Sequence, residues 1–231
     1  MLIYFITKTR HRKYSWEDFS KKFRNQVGEI KIYNHKQLDE EQNFGTTKIV
    51  SKYKNIFDNK NGLPKMVKIA EDSCNQEEMK LIDYCRPLSH GYKKYGGLIL
   101  RIQTSPWLYN SHFDAMDQVV ITLHGHKRWL FFYLDEQCQT TEEEDKYMKM
   151  LAGKTVDEAV NEVLKPNNIN YTIKETKSGD YIDIPKGLYH LTESNEKGGC
   201  ILLNIKTSEE EPELSKKFYQ LWPKWYVTGT E

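Results

Sequence analysis

Six short runs rich in β-branched and aromatic residues succeed one another between positions 96 and 206: GGLILRIQ, DQVVITL, HKRWLFFYL, NYTIKET, DYIDIP and GGCILLNIK. Each is bounded by Gly, Pro, Asn or Asp, so each reads as a strand between turns. One stretch, residues 139–166, breaks the pattern. There Val156, Ala159, Val160, Val163 and Leu164 recur at helical spacing until Pro166 closes the segment. Strands every eight to twelve residues with one helical insertion predict a mainly β chain with flanking helices and a double-sheet, jelly-roll core.

The remainder is expected to pack around that core as one structural domain. Residues 1–95 are read as N-terminal helices and strands on the barrel, 96–207 as the core with its insertion 139–166, and 208–231 as a helical tail. Trp16, Phe19 and Phe23, with Ser15 as N-cap, predict a helix, and 77–85 a second one ended by Pro87. Residues 35–70 are polar, carry a turn signal at 59–62, and are left unassigned. At 38% apolar and 13% aromatic, 231 residues suffice for a substantial core. No apolar run approaches the roughly 20 residues of a membrane helix. At the N-terminus an apolar stretch precedes basic residues, the reverse of a secretory signal, so residues 2–6 read as a strand.

A net charge of +1 argues against binding dominated by phosphate neutralisation. The first 25 residues are locally basic, read as a solvated face balanced by acidic stretches at 142–145 and 209–211. Four scattered cysteines, Cys74, Cys85, Cys138 and Cys200, form no zinc or disulfide pattern and suit a reducing, cytoplasmic or nuclear compartment.

The chemistry concentrates in two places. In Ser111-His112-Phe113-Asp114, strand alternation would put His112 and Asp114 on one face. An H-x-D pair alone is common on protein surfaces. The segment from Gly179 to His190, a Gly-Asp turn, a short strand and a Pro-x-Gly turn, offers a third donor, His190. Two imidazoles and one carboxylate leave open the positions that non-haem iron needs. His124 and His126 flank Gly125 in a turn and are assigned exposed or supporting roles. Asp117 is placed to orient a neighbour, and Gln118 to line the pocket.

The runs HFDAMDQVVITLHGHKRWLFF and SGDYIDIPKGLYHLTES resemble the jumonji-C and related cupin-like hydroxylases, over about 97 to 206. The resemblance implies a double-stranded β-helix (cupin) core and an Fe(II)- and 2-oxoglutarate-dependent dioxygenase using O2, with His112, Asp114 and His190 as metal ligands. It also implies that Lys127, fifteen positions after His112, pairs with the distal carboxylate of 2-oxoglutarate. That dianion needs a fixed cation deep in the barrel. Asn204 falls where some members place a polar contact near the cosubstrate, or serves as a structural bond in the core. Tyr109 stands where the family usually carries Thr or Ser. This departure leaves the cosubstrate contact with Tyr109, Ser111 or Ser194.

Hydroxylation of a protein side chain is the expected reaction. N-methyl-lysine demethylation, RNA-base hydroxylation, a non-oxidative metal-binding cupin and a degenerate non-catalytic member are the rival readings. The insertion 139–166 and residues 35–95 are expected to wall the substrate site. No membrane partner is expected. The aromatic tail, roughly 211–227, either folds back on its own barrel or forms a homodimer.

Overall fold

The computed structural model describes residues 32–34, 52, 66–89, 92, 96–103, 107–134, 141–194 and 199–216. Its strands are β1 (Ile32–Asn34), β2 (Met66–Ala70), β3 (Leu98–Gln103), β4 (Trp107–His112) and β5 (Gln118–His124), then β6 (His126–Phe132), β7 (Tyr171–Lys177), β8 (Asp180–Ile184), β9 (Tyr189–Ser194) and β10 (Cys200–Lys206). They form a six-stranded sheet, β1-β8-β5-β10-β3-β2, and a four-stranded sheet, β4-β9-β6-β7. Every ladder is antiparallel. From β3 to β10 the chain changes sheet at each connection except β6–β7, where the helical insertion lies. This winding is the expected double-stranded β-helix of the cupin jelly roll.

Strand alternation sorts the side chains into three apolar layers. Between the sheets lie Val120, Trp129, Phe131, Tyr133, Ile182, Ile184, Leu188, Cys200 and Leu202. Behind the six-stranded sheet, Leu98, Leu100, Ile102, Ile121 and Leu203 pack on Leu81, Ile82 and Cys85 of helix α1 (Gln76–Cys85). Asn75 and Glu78 cap α1 reciprocally, and Arg86–Ser89 extend it as a 3-10 turn that takes in Pro87.

The third layer corrects one expectation. The insertion forms α2 (Thr141–Leu151) and α3 (Val156–Glu158), which runs on as a π-helical stretch, Ala159–Leu164. Its apolar stripe packs on Leu130, Phe132, Tyr189 and Leu191 at the outer face of the four-stranded sheet. It therefore buttresses the barrel from outside, because four buried positions in six residues demand a sheet and not solvent. Glu193 of β9 latches it. One carboxylate oxygen accepts from Arg128 at 2.6 Å and the other from the Val156 amide at 2.9 Å.

The unassigned region 35–70 contributes the edge strand β2. The proposed strand at 2–6, the helix on Trp16, Phe19 and Phe23, and the turn at 59–62 lie outside the described residues. Of the tail, residues 212–216 are helical and the rest lies outside them. No helix among the described residues is long and apolar enough to cross a membrane. Cys74, Cys85 and Cys200 are free thiols.

The β5–β6 connection, which carries the chain from one sheet to the other, turns on one residue, Gly125, at φ +80°, where an added Cβ would lie 2.3 Å from the Gly199 carbonyl oxygen. Gly153 also has positive φ (+72°) but faces open space. Gly125→Ala should therefore lower stability by about 2 kcal/mol or more, and Gly153→Ala by about 1 kcal/mol. Urea unfolding of the two variants checks the order.

Candidate metal centre

β4 and β9 pair so that His112 faces His190, while Tyr109 faces Thr192. Three steps along β4 match two along β9, which is a β-bulge. In a regular strand Tyr109 and His112 would point to opposite faces. The bulge turns both into the space between the sheets, where the His112 and His190 ring centroids lie 4.2 Å apart.

Asp114 reaches the site by another route than the expected pleat. It lies beyond the end of β4, in the connection to β5. That connection is clasped to the turn ahead of β9. The Gly187 amide donates to the Asp114 carbonyl at 2.8 Å, and the Lys186 amide to Asp117 Oδ1 at 2.9 Å. Asp117 thus ties the start of β5 to the turn ahead of β9. The clasp leaves Asp114 Oδ2 3.6 Å from His190 Nε2. Donor atoms of His112, Asp114 and His190 all lie within 4.8 Å of one another, the one such group among the described residues.

The imidazoles are set up as ligands. His112 Nδ1 lies 2.8 Å from the Asn110 carbonyl oxygen and His190 Nδ1 lies 3.0 Å from that of Leu188. A carbonyl only accepts, so Nδ1 carries the proton and Nε2 keeps its lone pair for a metal. Burial, reinforced by His190 alongside, drives His112 well below the ordinary histidine range, and burial lowers His190 too. Both rings are therefore neutral, the form a metal binds. Two neutral imidazoles and one carboxylate suit Fe(II).

The small cavity around them draws its walls from both sheets. Val120, Trp129, Ile184 and Leu202 supply an apolar lining, and Lys127, Gln103, Arg101, Tyr109, Thr192 and Asn204 the polar groups. Lys127 is 1% exposed. Its Nζ donates to Gln103 Oε1 at 2.9 Å, a neutral partner for a buried cation, and burial pushes its pKa down to about 8. Asn204 donates to Gln118 Oε1 at 2.9 Å, and its own Oδ1 is buried without a partner.

The remaining candidates divide. Tyr109 lines the cavity with its ring 4.7 Å from that of His112. Gln118 stands behind Asn204 and does not itself line the pocket. Ser194 is buried one pleat beyond Thr192, outside the cavity wall. Ser111 points the other way, its hydroxyl 3.5 Å from Met148 Sδ. His124 and His126 flank the β5–β6 turn, outside the ligand group, with His126 Nε2 3.5 Å from Glu175. Arg101, Gln103 and Thr192 were not anticipated. The one available signal was their alternation with apolar residues, in LILRIQ and YHLTES.

A family model for the JmjC domain matches residues 80–211, more than half of the chain, and the chain belongs to that family. It is a family that includes 2-oxoglutarate oxygenases. No match was found among curated proteins. Among solved structures, the cupin domain of Drosophila melanogaster CENP-C is similar over 47% of this chain and 59% of that one, at 11% identity and a TM-score of 0.30. A structure of Drosophila melanogaster CENP-C bound to CAL1 is similar over 49% and 63%, at 10% identity and a TM-score of 0.32. The chain thus spans about three fifths of the length of those two solved chains.

Lys127 gives a pH test of the site. Its folded value of about 8 lies below the ordinary 10.5, so between the two the unfolded chain holds more protons. Stability from this group therefore rises as pH climbs from about 8 to 10.5, by on the order of 3 kcal/mol at most. Urea unfolding of wild type and Lys127→Met across that window should show this rise in the wild type alone. A saturating dianion that keeps Lys127 charged should flatten it.

Proposed function

We propose that this chain is an Fe(II)- and 2-oxoglutarate-dependent dioxygenase that hydroxylates a side chain of a protein substrate. The observation that carries the reading is Lys127, an ammonium sealed in the same cavity as the ligand triad with a neutral amide as its hydrogen-bond acceptor. A buried cation without a counter-anion is unfavourable, and a bound dicarboxylate removes the penalty. A cupin that merely held a metal would have no use for it.

His112, Asp114 and His190 would hold the iron. With 2-oxoglutarate and O2 bound there, that centre supplies oxidation of a substrate C–H bond, with release of succinate and CO2. The chain's own residues do the rest. The Asn110 and Leu188 carbonyls fix the imidazole tautomers and point each Nε2 inward. Lys127, steadied by Gln103, binds the distal carboxylate through a charge-assisted hydrogen bond. Asn204, held by Gln118, offers Oδ1 as an acceptor. Trp129, Val120, Ile184 and Leu202 exclude water, which strengthens each of these polar contacts.

The direct test is succinate release from 2-oxoglutarate with Fe(II), in the absence and presence of candidate peptides. Wild type should turn over slowly alone and faster with a true substrate. Lys127→Met should raise the KM for 2-oxoglutarate about 10- to 100-fold, as expected for one hydrogen bond to a charged group. His112→Ala should abolish turnover and Fe(II)-dependent stabilisation together. Wild-type protein that binds Fe(II) yet never consumes 2-oxoglutarate would defeat the reading.

A further inference from the structure

The register of the edge strand places a second, uncompensated pair of cations beside this cavity. Lys68 of β2 lies directly opposite Arg101 of β3. Cross-strand partners share a face, and Arg101 lines the cavity along with Gln103, two residues further on the same strand. Like charges directly opposite one another destabilise a sheet. Neither side chain forms a hydrogen bond or ion pair among the described residues, and Arg101 Nε is buried without an acceptor. Asp72 and Asp114 act on Lys68 only from a distance, while Arg101 and Lys206 repel it.

Arg101 is nevertheless held in place. Its guanidinium carbon sits 5.5 Å from the Tyr109 ring centroid, a cation–π contact, and the same ring packs on the metal ligand His112. One aromatic ring therefore separates the guanidinium from the centre. With a divalent metal and a dianionic cosubstrate bound, Asp114 and Lys127 would complete a set of charges that sums to zero. Arg101 and Lys68 are the surplus.

We propose that Arg101 and Lys68 form an oxyanion subsite on the β2–β3 side of the cavity, distinct from Lys127, which holds a carboxylate or phosphate group borne by the substrate. The guanidinium supplies a planar fork for two oxygens, and the lysine, nearer solvent on the edge strand, a mobile point charge. The assignment of the anion to the substrate rests on the oxygenase reading above. The subsite itself does not.

The test uses the whole chain, unloaded and loaded with Mn(II) and 2-oxoglutarate, and follows the thermal unfolding midpoint against inorganic phosphate or acetate. Chloride holds the ionic strength constant. A saturable rise in midpoint is expected with at least one anion in the loaded protein. A larger response to phosphate assigns a phosphate group, and a larger response to acetate a carboxylate. Arg101→Met and Lys68→Met should each weaken the apparent affinity about tenfold, and Arg101→Lys should retain most of it. Lys127→Met, tested unloaded, should keep it. Should Arg101→Met fail to fold, the more exposed Lys68→Met carries the comparison. Equal responses in wild type and in the Arg101 and Lys68 variants would overturn the subsite. So would a response that Lys127→Met removes or that 2-oxoglutarate displaces, which would put the anion on the cosubstrate anchor. Failure of Mn(II) and 2-oxoglutarate to raise the midpoint would count against the oxygenase reading alone, since the unloaded titration still reports the subsite.

Discussion

Between Tyr109 and His112, β4 takes three residues to cover what β9 covers in two. This single extra residue sets His112 directly opposite His190 in register, and it brings Tyr109 onto the same side as both. The rest of the site is arranged around that pairing. The β4–β5 connection must turn Asp114 back toward the two rings, and the Gly187–Asp114 bond holds it there. Both sheets then fill what remains with groups that tolerate burial beside the candidate metal centre.

That second requirement accounts for the electrostatic character of the interior. The apolar layers behind each sheet are continuous, made from Leu, Ile, Val and Phe, and give the barrel its stability. The space between the sheets is mixed. Trp129, Phe131 and Ile182 occupy one part, and Lys127, Arg101, Asn204 and the triad the other. Small bonds organise the polar part: Trp129 Nε1 donates to Thr176 Oγ1 at 3.0 Å, and Thr122 to the same oxygen at 2.9 Å. These keep the wall around Lys127 satisfied while Lys127 itself has only a neutral acceptor. Hydrogen bonds to neutral groups fix geometry without neutralising the Lys127 charge.

Much of this was legible in the chain. The six apolar runs became β3, β5, β6, β7, β8 and β10, because all but β7 bury at least one face and so carry a pattern that packing enforces, while β7 half-buries Tyr171 and Ile173 against the helices. The triad was legible because its spacing is local to two short motifs. β9 was harder to read: YHLTES alternates apolar residues facing the helices with His190, Thr192 and Ser194 facing inward, which imitates a half-exposed strand. β2 was invisible for the opposite reason, since a five-residue edge strand buries little. Asp114 joins the two histidines by a geometry that strand alternation does not predict, because the clasp to Gly187 joins residues far apart in sequence. The insertion packs on the barrel because its stripe of Val and Leu requires an apolar partner. Arg101 was passed over because a charged residue in a strand ordinarily faces water.

Glu193 ties these layers together. On one face of β9, His190 and Thr192 look into the cavity. From the other face Glu193 grips Arg128 and the first turn of α3. The strand is thus a shared beam, loaded from both sides, and the buttress cannot melt as a local unit without slackening the ligand strand it leans on. A protease or denaturant that frees α2 and α3 would disturb the strand that carries His190 without entering the cavity, and a ligand held by that strand would in turn slow the release of helices it never touches.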